Sequence, residues 1–207
     1  DAVTMLGKKL KKATGKKIVF DVLNVHSQLA KETGKNREEI RKLIKTEEEA
    51  ARISDVILCR SELDKSILRK QGAKKSKLRV YAGSIPVQKF KFSQKNKKEN
   101  LLVFVGNNFY EPNEQAIRIL GNKIMPKLKN CSLMIVGPTP KGLIKEIKAK
   151  NIRFLGEIDD LNSVFSECKI GLCPVTSGSG TRTKILDYMA AGLLVITTSK
   201  GIEGLDE

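Results

Sequence analysis

The sequence predicts an α/β protein made of two Rossmann-like parallel-sheet domains, and three observations carry that expectation. Short β-branched apolar runs alternate with longer amphipathic stretches, which is the pattern of βαβ units. A polar, lysine-rich stretch without period interrupts the alternation at residues 85–100. Several apolar runs in the second half end directly in glycine, as at Val105-Gly106, Val136-Gly137 and Leu155-Gly156. Open α/β sheets place ligands at the carboxyl edge, where glycine lets a backbone come close.

Element by element, a helix over Ala2–Thr14 closes at Gly15, and Ile18–Val22 follows as a buried strand. Arg37–Ile53 repeats apolar residues at helical spacing, with Ile40, Leu43, Ile44 and Ala51 on one face. Asp55–Cys59 is the next strand; Ser61 and Asp64 form a capping-box pair for a helix ending at Gly72, and Leu78–Tyr81 is a third strand. After the expected linker, strands are predicted at Leu101–Val105, Leu133–Val136, Ile152–Leu155, Ile170–Cys173 and Leu194–Thr197. Helices are predicted between them at Asn113–Leu128, Pro140–Lys150, Asp160–Glu167 and Thr181–Ala191. The domains are therefore expected at 1–84 and 101–207.

Bulk properties narrow the function classes. A chain of 207 residues, 40% hydrophobic and 30% charged, buries a proper core and has no run of the ~20 apolar residues that a membrane helix needs. Cys59, Cys131, Cys168 and Cys173 show no metal-binding spacing, and with His26 as the only histidine they read as reduced thiols of a cytoplasmic protein. The net charge of +16 favours anionic partners. Its densest run, from Lys8 to Lys17, suits either a solvated helix face or an anionic membrane surface. Nucleic acid is not expected, because tryptophan is absent and aromatics make up only 5% of the chain. The start at Asp1 and the stop at Glu207 suggest a piece of a longer reading frame, with both domains incomplete.

The most informative segment is Ser177-Gly178-Ser179-Gly180-Thr181-Arg182-Thr183-Lys184-Ile185-Leu186-Asp187. A glycine-rich turn leaves a strand and opens a helix, so unpaired amides can meet an anion. Arg182 and Lys184 fall in the first turn, where the helix dipole disfavours a cation by ~0.3–1 kcal/mol; a bound diphosphate reverses that sign. Helical spacing expects Ile185, Leu186, Met189, Ala190 and Leu193 on the core face, with Lys184, Asp187 and Ala191 opposite. Without a ligand, the same segment would be a capped helix with a surface Lys184–Asp187 pair.

This stretch, continuing as "YMAAGLLVITTSKGIEGL", resembles the donor-site region of retaining, family-four-type glycosyltransferases of GT-B architecture (glycosyl transferases group 1). "LLVFVGNNFYEPNEQAI", "LMIVGPTP" and "NIRFLGEIDDLNSVFSECKIGLCPV" are similar to the strands before it, and "FDVLNVHSQLAKE" to part of the acceptor domain. The resemblance implies sugar transfer from a nucleotide-diphosphate sugar to a glycan or lipid-linked acceptor, without metal. It implies Gly178, Ser179, Gly180, Thr181, Arg182 and Lys184 around the diphosphate, and Asp187 on the ribose. Gly106 and Asn107 would floor the cleft, and Phe154, Leu155 and Gly156 would border the base. The Asp159-Asp160 pair reads as a helix cap. Two departures stand out: the family's first glutamate falls on Ser179, and its acceptor-side histidine on Leu23, with His26 three residues on as a candidate catalytic substitute. A non-catalytic nucleotide-sugar-binding module and a basic nucleic-acid-binding α/β protein are the alternatives. The expected location is the cytoplasm, either free or peripheral on the inner membrane face.

Overall fold

The computed structural model describes residues 2–92 and 97–205. Its α/β architecture contains two parallel sheets, and the chain divides into two compact units. One unit holds the residues up to Gly83 together with Ser177–Thr181 and the segment from Glu203; the other holds Ser84–Thr176 and Arg182–Ile202. Residues 93–96 of the expected linker and 206–207 lie outside the described residues.

In the first unit, β1 (Val19–Val22), β2 (Val56–Cys59) and β3 (Leu78–Val80) pair in parallel in the order β1-β2-β3. Helix α1 (Ala2–Thr14) precedes them, α2 (His26–Glu32) and α3 (Arg37–Ile53) separate β1 from β2, and α4 (Glu62–Lys70) separates β2 from β3. Local chemistry explains the helix starts. Asn36 accepts the Glu39 N–H at 2.9 Å and Ser61 accepts the Asp64 N–H at 3.0 Å, each satisfying one orphan amide. Val22, Val25, Ile57, Cys59, Leu68 and Leu78 form the core. Helix α2 was not expected from the sequence: it is only 7 residues long, too short to show a period.

In the second unit, β4 (Lys98–Val105), β5 (Ser132–Val136), β6 (Ile152–Gly156), β7 (Cys168–Cys173) and β8 (Leu194–Thr197) form a parallel sheet in the order β6-β5-β4-β7-β8. Leu101, Leu102, Val103 and Phe104 on the central strand are all buried, as a sheet covered on both faces requires. Each such side chain contributes about 1.5–3 kcal/mol by burial.

The connecting helices are α5 (Glu111–Ile119), α6 (Lys141–Glu146), α7 (Asn162–Phe165), α8 (Thr183–Ala190) and α9 (Ser199–Ile202). Two are shorter than their periodicity suggests. Helix α5 widens into a π turn over Leu120–Ile124 and tightens at Met125–Lys127, where Pro126 brings no N–H. Helix α6 stops at Glu146 because the next amides bond elsewhere, Lys148 N–H to Asn122 Oδ1 and Ala149 N–H to the Gly121 carbonyl.

The described part of the expected linker is packed into the second unit. Phe90 stacks on Phe165 at 6.0 Å between ring centroids, and Asn162 bonds both the Lys91 N–H and the Lys89 carbonyl at 2.8 Å. The Lys97 ammonium donates to the carbonyls of Phe165, Cys168 and Ala191, tying three segment ends together. A lysine-rich composition concealed these anchors.

Candidate functional site

The carboxyl ends of the central strands in the second unit are lined by backbone. Gly106 N–H donates to the Val136 carbonyl at 3.0 Å, and Gly137 N–H donates to the Gly156 carbonyl at 2.6 Å. Gly106, Gly137 and Gly156 thus close β4, β5 and β6 side by side, as the strand–glycine pattern predicts. A Cβ on Gly106 would stand 2.7 Å from Asn113 Nδ2 and 3.0 Å from Lys184 Nζ, so glycine there lets both side chains reach the strand end.

Lys184 is the centre of this cluster. Its ammonium donates to Asn113 Oδ1 at 2.8 Å and lies 4.1 Å from the centroid of the Phe104 ring. Asn113 is itself fixed by donating to the Asn107 carbonyl at 2.8 Å. Enclosure by protein lowers the Lys184 pKa to about 8, and burial raises that of Asp187, one turn on, to about 6. Asn113 was absent from the sequence-based site, although the Pro112-Asn113 pair of the family-like "PNEQAI" stretch carried the signal.

The orientation of α8 differs from the expectation. Ile185, Tyr188 and Ala191 are the buried positions, whereas Met189 is 59% exposed. Tyr188 sets this rotation. Its hydroxyl accepts the Val105 N–H at 2.8 Å and donates to the Leu172 carbonyl at 3.3 Å. Gly171 leaves room for the ring, since a Cβ there would come within 2.4 Å of it. Lys184 lies one turn before Tyr188 and so faces the sheet rather than solvent.

The glycine turn belongs to the first unit. Helix α8 begins at Thr183, two residues later than expected, with Arg182 as an N-cap that makes no side-chain cap. The turn is anchored to the segment Leu23–Glu32. Ser179 Oγ accepts the Val25 N–H at 2.8 Å, and Asn24 donates to the Ser179 carbonyl at 2.8 Å. Gly180 has φ +77°, and a Cβ there would stand 2.6 Å from the Leu23 carbonyl oxygen. Thr181 Oγ1 donates to the Arg60 carbonyl at 3.2 Å. Most tellingly, Gly178 N–H donates to Glu32 Oε2 at 2.8 Å, so one amide expected to meet a ligand already holds a carboxylate of the protein.

Leu23, rather than His26, therefore stands against the turn. His26 opens α2 and lines an apolar cavity of about 380 Å³ with Phe20, Leu43 and Glu47. Phe154 and Leu155 sit on β6, with Leu155 37% exposed ahead of Gly156. Asn107 is exposed beside Gly106. Asp160 accepts the Asn162 N–H at 2.9 Å and so caps the start of α7. Among the described residues, no group of three metal-ligating side chains gathers, and no helix is long and apolar enough to cross a membrane.

The chain is similar to several known proteins. It is 28% identical over 134 residues to an uncharacterized 44.6 kDa protein in the cps region of Klebsiella pneumoniae, covering 58% of this chain and 34% of that protein. Its fold matches HepE of Anabaena, crystallised with UDP and glucose, at TM-score 0.76 and 15% identity, over 99% of this chain and 59% of that one. It also matches WaaG, a glycosyltransferase involved in lipopolysaccharide biosynthesis, at TM-score 0.68 and 16% identity, over 94% of this chain and 62% of that one. The chain thus spans about a third of the curated relative and three fifths of the solved structures. The two parallel sheets match the Rossmann-like domains of the GT-B fold. The model of the glycosyl transferases group 1 matches residues 99–207, more than half of the chain, which therefore belongs to that family.

Proposed function

We propose that the protein to which this chain belongs transfers a sugar, with retention and without metal, from a nucleoside-diphosphate donor to a glycan or lipid-linked acceptor. The observation that carries this reading is an enclosed ammonium, Lys184, at the carboxyl edge of a parallel sheet, held by Asn113 and Phe104 with no carboxylate paired to it among the described residues. A cation kept in that position suits an anionic ligand. As the bond from the anomeric carbon to the diphosphate oxygen breaks, negative charge builds on the leaving group, and Lys184 with Arg182 stabilises it. Amides of Thr183 and Lys184 at the start of α8 add donors, and Asp187 takes the ribose hydroxyls. Phe154, Leu155 and Gly156 border the base. The UDP seen with HepE and the cps-region relative support a uridine nucleotide and a polysaccharide pathway. His26, which lines the cavity with Phe20, Leu43 and Glu47, is given no chemical step in this reading.

Calorimetry of the chain against UDP, ADP and GDP tests this. UDP is expected to bind, and Arg182→Ala combined with Lys184→Ala to remove the signal. Unchanged affinity in that variant would take both residues out of the site. Salt-sensitive binding to single-stranded DNA with no response to nucleotides would favour the nucleic-acid reading.

The lysines of α1 and of the segment just after it support a peripheral location on the inner membrane face. They divide into two sets. Lys8 pairs with Glu49, and Lys11 with Asp55 and the Ile53 carbonyl. Lys9, Lys12, Lys16 and Lys17 have no ion-pair partner among the described residues, and Met5, Leu6 and Leu10 are each more than half exposed. Exposed apolar groups among unpaired lysines suit an anionic lipid surface, at about 1 kcal/mol per lysine. Co-sedimentation is expected with phosphatidylglycerol vesicles and to be absent with phosphatidylcholine alone. Lys9→Glu with Lys12→Glu should abolish it, and equal binding to both vesicle types would refute the assignment.

A further inference from the structure

We propose that Asn113 is a positioning residue of the donor site: its side-chain amide holds the Lys184 ammonium at the carboxyl end of β4 and, carrying no charge, leaves that cation for the diphosphate. The inference rests on the donor-binding reading above and adds a residue of α5 to it.

Asn113 lies in the first turn of α5, is 7% exposed, and belongs to the same compact unit as Lys184. Its amide is used at both ends. Oδ1 accepts from Lys184 Nζ at 2.8 Å, and Nδ2 donates to the Asn107 carbonyl at 2.8 Å. An ammonium only donates and a carbonyl only accepts, so these two partners fix which way the amide faces. The Asn113 N–H donates to the Tyr110 carbonyl at 2.9 Å, which ties its backbone to the same loop. The ammonium, on its long flexible stem, is thus confined between this amide and the Phe104 ring.

The neutrality of Asn113 decides what the cation can do. Burial is the main cause that lowers the Lys184 pKa to about 8; the like charge of Arg182 acts in the same direction and Cys173 in the opposite one. At neutral pH the group is still charged. An aspartate in place of Asn113 has nearly the same shape but would put an anion in hydrogen-bond contact with the ammonium. The pair would then be satisfied without ligand, and an arriving diphosphate would meet a carboxylate beside the cation it needs. An alanine would free the stem and remove a hydrogen bond that favours the charged form. The amide orients the charge without cancelling it, which is what electrostatic preorganisation for an anion requires.

Asn113→Asp and Asn113→Ala separate positioning from packing, because they move the Lys184 proton in opposite directions. UDP affinity is measured by calorimetry across a pH series on the wild type and both variants. The Lys184 titration in the free protein is followed by competitive acetylation read by mass spectrometry, and folding by thermal melting. At neutral pH, UDP affinity is expected to fall about tenfold in Asn113→Asp and about fivefold in Asn113→Ala. The alkaline limb, where Lys184 loses its proton, should rise by at least about one pH unit in Asn113→Asp. In Asn113→Ala it should fall instead, and in each variant it should match the acetylation titration. If Asn113→Asp melts too low to assay, the direction of the limb in Asn113→Ala decides. Weaker binding in both variants with an unmoved limb makes Asn113 a packing residue and overturns the proposal, as does unchanged affinity in either. A wild-type chain that binds no UDP at any pH is the separate outcome that overturns the donor reading itself, and this assignment with it.

Discussion

Lys184→Met is expected to abolish measurable UDP binding, and wild-type binding is expected to follow a bell in pH with limbs near 6 and 8. The alkaline limb is Lys184. Burial lowers its pKa from the ordinary 10.5 to about 8, so the ammonium that holds the diphosphate is lost as pH rises through 8. The acid limb is Asp187. Burial raises its pKa to about 6, so below that value it is protonated and accepts ribose hydroxyls poorly. Removing an enclosed cation from a diphosphate typically costs about 2–5 kcal/mol, roughly thirtyfold or more in affinity.

The stability of the free protein should respond with the opposite sign. Between pH 8 and 10.5 the unfolded chain holds the Lys184 proton and the folded one releases it, so folding stability rises with pH in that window. Between about pH 4 and 6 the folded chain retains the Asp187 proton that the unfolded chain has lost, so stability falls as pH rises there. Lys184→Met removes an enclosed charge and should therefore melt no lower than wild type while binding nothing. A variant that loses binding only by unfolding would show both falling together. A flat UDP affinity from pH 5 to 9 would show that neither group contacts the ligand.

Much of the architecture was legible because it follows from patterns that packing enforces. Leu101–Phe104 form one continuous apolar run because β4 is covered on both faces, and Arg37–Ile53 shows its period because only one side of α3 is buried. What escaped depends on contacts distant in sequence. Helix α2 holds one of the key anchors, Glu32, yet its pairing with Gly178 spans 146 residues and leaves no local trace. The rotation of α8 differs from the expected core face, which omits Tyr188, because the buried hydroxyl of that residue finds the Val105 amide and the Leu172 carbonyl. The glycine turn stands out in the sequence, but glycine permits close approach of any backbone, and here the approaching atom at Gly180 is the Leu23 carbonyl.

Gly137→Ala is expected to destabilise the second unit by at least about 3 kcal/mol, through backbone strain and overpacking together. Gly137 has φ +113°, and a Cβ there would stand 1.9 Å from the Gly106 carbonyl oxygen, a backbone atom that cannot swing aside like a side-chain tip. The Gly137 N–H is committed to Gly156 and its carbonyl accepts from Thr139 Oγ1 at 3.0 Å, so the residue is pinned from both sides. Relief requires β4 and β5 to part at their carboxyl ends, and Gly106 would carry the strain to Asn113 and Lys184, which lie against it. UDP binding should fall with stability, and the melting temperature by roughly 10 °C for a chain of this size. Gly142→Ala is the control: the position lies in α6, a Cβ there meets nothing within 4 Å, and the helix should gain about 0.5–1 kcal/mol. If both alanine variants melt alike, the close approach of Gly106 and Gly137 is not what shapes the end of the sheet, and the placement of Lys184 must rest on α8 alone.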